Sequence, residues 1–386
     1  MKILAAGGGS GGHVTPVAAV LKQIKGRYPD AEVRFWCDRT FAPQARRVMR
    51  HFDESVRVDV VVSGKLRRYH HLKWWQQLVK IRTIVAPNIF DAVKVLVGFV
   101  QSIVKLLVWR PDVVFTKGGY VCLPIGLAAH VLRIPLVIHD SDAYPGLTNR
   151  VLSRWASRIG TGAPLKYYPY PSAISRYVGV PIVADFAPFD REARQKARQE
   201  IGFGASNRPI IVVTGGGLGA KRLNVAVARQ LDMLLVSMNV ILISGEGEYD
   251  EMRALTPQDN PYFQLHAFVS KGMATMLGAA DIVVARAGAT TILELAALAK
   301  PTILVPNGFL TGGHQLKNAA VYAEKGAVSV IDELELEKRP QLLTDELTNL
   351  LADPDRLHRM GRAFHDFAKP EAAQEMADLV ISAIKK

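Results

Sequence analysis

Cysteine is almost missing from this chain: 386 residues hold only Cys37 and Cys122, and no CxxC pair. That excludes a disulfide framework and a zinc ribbon, and it favours a reducing compartment. Acidic side chains are also short, 35 against 48 Lys and Arg, which leaves a net charge of +13. A membrane span, which needs roughly twenty apolar residues, is not expected from the apolar runs. The longest candidate, Leu96–Trp109, is interrupted by Gln101 and Lys105 and is expected to be a buried helix feeding the strand at Val113–Thr116. The opening run Ile3–Ala6 is too short for the apolar region of a signal peptide.

Glycine is what the chain has in unusual places. After Ile3–Ala6 come Gly7, Gly8, Gly9, Gly11 and Gly12, then His13 at the start of a helix. Bare backbone N–H groups beside a helix N-terminus make an anion site. An ionisable histidine there points to a proton moved beside a bound phosphate or sugar. Gly7, Gly9 and Gly12 also satisfy a dinucleotide fingerprint, with Asp38 following, but that signal is weak alone.

Strand-like and helix-like runs alternate through Leu136–His139, in the pattern of a parallel sheet covered on both faces. The pattern restarts at Pro209–Thr214, followed by a second glycine loop, 215–220. The fold class expected is α/β, with two Rossmann-like doubly wound domains, residues 1–182 and 183–369, and a cleft between them where strands end. The last helix, within 370–386, has an apolar face that is expected to pack back on the first domain.

Three clusters could carry chemistry. His139, Asp140, Ser141 and Asp142 close a strand, so their ionisable groups are expected in the cleft. The Asp140-x-Asp142 spacing admits a divalent cation, but no obligatory metal is expected. Arg286 ends a strand and a helix begins near Thr290, where Thr290 and Thr291 are expected to cap and Glu294 to reach a ribose diol. His314, Gln315 and Asn318 follow a third glycine-rich turn and suit sugar hydroxyls. A basic stretch, 64–110, has nine Lys and Arg against Asp91 alone, interleaved with Tyr69, Trp74, Trp75, Phe90, Phe99 and Trp109. It reads as a surface for anionic lipid rather than nucleic acid.

Together these motifs resemble the MurG family of GT-B glycosyltransferases, nearly end to end: GGGSGGHVTP (7–16), KGGYVCLP (117–124), PGLTNR (145–150), GGGLGAKRLN (215–224), RAGATTILEL (286–295) and HQLKNA (314–319). The resemblance implies inverting transfer of GlcNAc from UDP-GlcNAc to undecaprenyl-linked lipid I, making lipid II at the cytoplasmic face of the membrane. It implies that Ser10, Gly11 and Gly12 surround the acceptor diphosphate, that His13 stands near the acceptor hydroxyl, and that Asp140 is the other candidate base. It places Asp142, Val269, Ala289, Thr290, Glu294, His314 and Gln315 on substrate, with Arg286 and Asn224 supporting the pocket. This chain departs from the family at 139–142, which reads His-Asp-Ser-Asp for His-Glu-Gln-Asn, and at Gly217, Leu218 and Val183. A UDP-GlcNAc 2-epimerase, a transferase to another lipid, and a basic nucleic-acid binder are the rival readings.

Overall fold

The computed structural model describes residues 1–8, 14–65, 81–182, 185–216, 219–269, 271–308 and 313–384. Ser10, Gly11, Gly12, His13, Val183, Gly217, Leu218 and residues 66–80 of the basic stretch lie outside the described residues. The chain divides into two compact units, Met1–Val183 with Lys369–Lys386, and Ala184–Ala368.

The first unit is a seven-stranded parallel sheet: β1 (Lys2–Ala6), β2 (Glu32–Cys37), β3 (Arg57–Val60), β4 (Val113–Thr116), β5 (Leu136–Asp140), β6 (Arg158–Thr161) and β7 (Ser175–Tyr177), in the order β3-β2-β1-β4-β5-β6-β7. The second has β8 (Ile210–Thr214), β9 (Asn239–Ile243), β10 (Phe263–His266), β11 (Ile282–Ala285), β12 (Thr302–Leu304) and β13 (Ser329–Val330), in the order β10-β9-β8-β11-β12-β13. Both are doubly wound, as expected. The central strands are apolar throughout because both faces are covered: every residue of β4, β8 and β11 is buried. Sequence reading missed β6, β7 and β13, which are short and, for β7 and β13, half-exposed.

The last helix, Ala372–Ser382, packs on helix Thr15–Arg27 and belongs to the first unit. Met376, Ala377 and Val380 share a core with Ile3, Val20 and Ile24. A side chain on Gly160 of β6 would meet the Met376 sulfur at 2.5 Å, so glycine lets the helix come this close.

One expectation is overturned. Helix Ala86–Trp109, continuing a π-turn at Ile81–Val85, is not buried. Over its most apolar stretch only 22% of residues are covered, and with the preceding residues it is long and apolar enough to cross a membrane. Val93, Leu96, Val100, Val104 and Leu107, at helical spacing, are each more than half exposed. Its inner face mixes small and polar residues, Asp91, Gly98 and Ser102, with apolar Leu106 and Trp109 near its C-terminal end, and all five are buried. Gln101 accepts the Val62 N–H at 2.9 Å, and Lys105 Nζ donates to the Val60 carbonyl at 3.0 Å. The polar interruptions that argued for a core helix are the side chains that dock it.

Candidate active site

In an open parallel sheet the ligand crevice lies where strand order reverses, outside the strand carboxyl ends. In the first unit that point is between β1 and β4. Here Gly119, at φ +88°, lies so close that an added Cβ would sit 2.6 Å from the Gly8 carbonyl. An added Cβ on Gly8 would meet an Asp38 oxygen at 2.5 Å. The two glycine turns therefore interlock. Asp38 accepts the Phe41 N–H at 3.1 Å at the entry to helix Ala42–Phe52, a bond that fixes the local turn.

Beside this crevice β5 ends in a buried polar network. Asp140 is buried and accepts the Tyr170 hydroxyl at 2.7 Å. Burial raises its pKa to about 7, against the pull of Tyr170, Asn149 and Lys117, while nearby Asp142 pushes it up. A carboxyl in that range exchanges a proton near neutral pH, as a general base requires. Tyr168 donates to the Asp142 carbonyl at 2.6 Å and stacks on Tyr170, with ring centroids 5.6 Å apart.

His139 corrects an expectation. It is fully buried, and its Nε2 donates to the Gly179 carbonyl at 2.8 Å, so it turns into the unit rather than toward a ligand. A carbonyl only accepts, so Nε2 carries the proton and Nδ1 faces Ser141 Oγ at 3.4 Å. The cause is alternation along the strand: His139 and Asp140 cannot both face the same side. Lys117, which opens the KGGYVCLP motif without being given a role there, and Tyr170, which no motif marks, complete the site. Cys37 and Cys122 are both buried, and burial pushes both thiols up to about 12, so neither is a nucleophile at neutral pH.

In the second unit the reversal falls between β8 and β11. Gly219, at φ +74°, approaches the Ser244 carbonyl so closely that a Cβ would be 2.4 Å away. Asn224 braces the same loop, donating to that carbonyl at 2.8 Å. Helix Ala289–Ala297 is capped differently from expectation. Gly288 is the N-cap, with no side-chain cap bond, so Thr290 and Thr291 are inside the first turn. Its first N–H groups are thereby left for an anion. Glu294, one turn in, is largely buried, and burial raises its pKa to about 7.

Helix His314–Ala323 starts at Gly313, φ +62°, again without a side-chain cap bond. Gln315 Oε1 accepts the Asn307 N–H at 2.8 Å, and Asn318 Nδ2 donates to the Ala287 carbonyl at 3.1 Å. The latter ties this helix to the Arg286–Gly288 turn. Arg286 is buried, donates to the Val305 carbonyl at 2.9 Å and pairs with buried Glu333, which is a supporting role. Val269 is half-buried beyond β10, beside exposed Phe268. Among the described residues no group of three or more His, Cys, Asp or Glu is placed to share a metal ion.

Two doubly wound units, each with a glycine turn at its strand-order reversal, define the GT-B class of nucleotide-sugar enzymes. Residues 3–161 match the glycosyltransferase family 28 N-terminal domain, and residues 210–376 match its C-terminal domain. The chain is 33% identical to the UDP-N-acetylglucosamine–N-acetylmuramyl-(pentapeptide) pyrophosphoryl-undecaprenol N-acetylglucosamine transferase of Clostridium kluyveri, covering 100% of this chain and 99% of that one. The solved structure of Acinetobacter baumannii MurG aligns with a TM-score of 0.73 at 26% identity, over 99% of both chains. A Neisseria meningitidis UDP-GlcNAc 2-epimerase shares the fold, with a TM-score of 0.67 at 13% identity over 99% of this chain and 100% of that one. This chain belongs to the MurG family within glycosyltransferase family 28.

Proposed function

We propose that this protein transfers GlcNAc from UDP-GlcNAc to undecaprenyl-diphospho-N-acetylmuramoyl-pentapeptide, lipid I, to give lipid II for peptidoglycan. The observation that carries this reading is the full-length likeness to a relative named for that reaction. The acceptor hydroxyl attacks the anomeric carbon in a single inverting displacement while UDP leaves. Charge growing on the diphosphate is met by the open N–H groups at the starts of helices Ala289–Ala297 and His314–Ala323, without an obligatory metal. Thr290 and Glu294 hold phosphate and ribose, Val269 lies along the uracil, and His314 with Gln315 meets the sugar. Ser10, Gly11 and Gly12 cradle the acceptor diphosphate. His13 takes the proton, or Asp140 does so directly or through a water.

The outward stripe of helix Ala86–Trp109 supports a peripheral seat on the anionic cytoplasmic leaflet. Phe90 and Val108 are 71% and 83% exposed, and the chain's excess of basic charge supplies the electrostatic attraction. Val100→Asp with Val104→Asp should abolish co-flotation with anionic vesicles and leave transfer to a soluble acceptor intact. Unchanged flotation would remove the helix from the membrane contact.

The deciding experiment is transfer of labelled GlcNAc to a soluble lipid I analogue, with His13→Ala alongside. Labelled product, reduced about 10²–10⁴-fold in the variant with donor affinity kept, is expected. Free UDP and N-acetylmannosamine without acceptor labelling would instead identify an epimerase.

A further inference from the structure

Lys117 is the side chain in the first unit that neither the fold nor the proposed chemistry yet accounts for. It is 1% exposed and directly follows β4, with its backbone N–H on the Ala6 carbonyl at 2.9 Å. Its neighbourhood is therefore the floor of the crevice between β1 and β4. A buried ammonium is costly unless anions and acceptors surround it. Lys117 Nζ donates to Ser141 Oγ. Asp142 and Asp140 both stabilise its charge through space, against the burial that lowers its pKa to about 8.

The bonds beyond Ser141 run in one direction. Lys117 donates to the Ser141 oxygen, the Ser141 hydroxyl faces His139 Nδ1, and His139 Nε2 donates to the Gly179 carbonyl. The turn at 140–142 is thus held from below by a cation. Lys300, the other buried lysine among the described residues, offers a contrast. Its Nζ donates to the Gly278 and Ala280 carbonyls at the end of helix Met273–Ala279, so its hydrogen bonds serve that helix end.

Position 142 carries a carboxylate where the family pattern has an amide. Two carboxyls, Asp140 and Asp142, then border a crevice that is to receive a diphosphate, and like charges oppose it. We infer that Lys117 is the counter-charge of Asp142 and a positioning residue for the acceptor, fixing the 140–142 turn through Ser141 and offsetting the extra negative charge beside the acceptor's diphosphate. The inference rests on the proposed lipid I reading.

A double-mutant cycle tests it: wild type, Lys117→Met, Asp142→Asn and the double variant, assayed with a soluble lipid I analogue and labelled UDP-GlcNAc, each with a thermal melt. Lys117→Met should raise the acceptor KM about tenfold and leave the donor KM within about twofold. It should also move the acid limb of kcat/KM to higher pH. Asp140 faces Tyr170, Asn149, Asp142 and Lys117, and removing the only cation among them lets it keep its proton longer. Adding Asp142→Asn should recover most of the acceptor KM. A double variant no better than Lys117→Met, or a donor KM that rises with the acceptor KM, overturns the inference. If Lys117→Met does not fold, a folded and active double variant supports the pairing, and an unfolded one overturns it. If the wild type labels no muramyl-diphospho-lipid analogue, the acceptor reading has failed, and the melts alone decide the pair: non-additive shifts keep it, additive shifts end it.

Discussion

At the carboxyl edge of the first sheet, Lys117 with Ser141 and His139, and Tyr170 with Asp140, form two hydrogen-bonded sets, and two glycine turns interlock at the strand-order reversal. At the equivalent edge of the second sheet, the starts of helices Ala289–Ala297 and His314–Ala323 present backbone N–H groups, with Glu294 one turn inside. The topology is shared, and so is the tight glycine turn at the reversal point. What differs is the kind of charge each edge controls. Side-chain protons in a buried network suit movement of a proton, whereas fixed backbone dipoles suit holding of a phosphate that gains charge.

The sharpest way to break this contrast is to neutralise one carboxyl on each side. Where Asp140 rather than His13 takes the acceptor proton, Asp140→Asn should lower kcat by about 10²–10⁴-fold with donor affinity nearly unchanged, read by single-turnover transfer and by UDP-GlcNAc titration. Equal loss of kcat in Glu294→Gln, with donor affinity intact, would erase the distinction. Instead, Glu294→Gln should weaken donor binding by about tenfold, the value of one good hydrogen bond to a charged group.

The same variant carries a stability signature. The folded Glu294 holds its proton up to about 7 while the unfolded carboxyl releases it near its ordinary value of 4.5. The folded state therefore binds more protons between those values, and this group's contribution falls as pH rises through the window. Glu294→Gln should melt higher than wild type at pH 8 and about the same at pH 4. A variant melting lower at pH 8 would show that the carboxylate has a folded-state partner.

The glycine turns should respond alike. Gly119→Ala and Gly219→Ala each add a Cβ into a backbone carbonyl at a positive φ, and each should cost about 1–3 kcal/mol in chemical denaturation. The smallest effect is expected from Tyr170→Phe. Losing its hydrogen bond to Asp140 should move the acid limb of the pH–rate profile up by roughly half a unit to one unit. No movement would detach Asp140 from that limb.

Much of this was legible in the chain itself. Apolar runs such as Ile210–Thr214 announced central strands because a parallel strand is covered on both faces. The helix start near 290 was placed by a tight small-residue turn, within a residue of the observed Ala289, and the one at 314 by a glycine-rich turn. Two errors had a common origin. Thr290 and Thr291 have the right chemistry for caps, but the backbone turn put Gly288 at that position. Gln101 and Lys105 counted against a membrane span and so toward a buried helix, and they are the anchors of an exposed one to Val60 and Val62. In both cases residue type was read correctly and facing was not.

By itself the sequence determined the doubly wound class, the two glycine turns and the family, because these rest on local periodicity and on motifs contiguous in the chain. Tertiary structure alone decided which ionisable groups act together. Lys117, the adjacent pair Asp140 and Ser141, and Tyr170 come from three separate segments, and only their burial in one place gives Asp140 a proton to exchange near neutral pH. Desolvation and the field of neighbouring charges are properties of that shared volume, which no stretch of sequence contains.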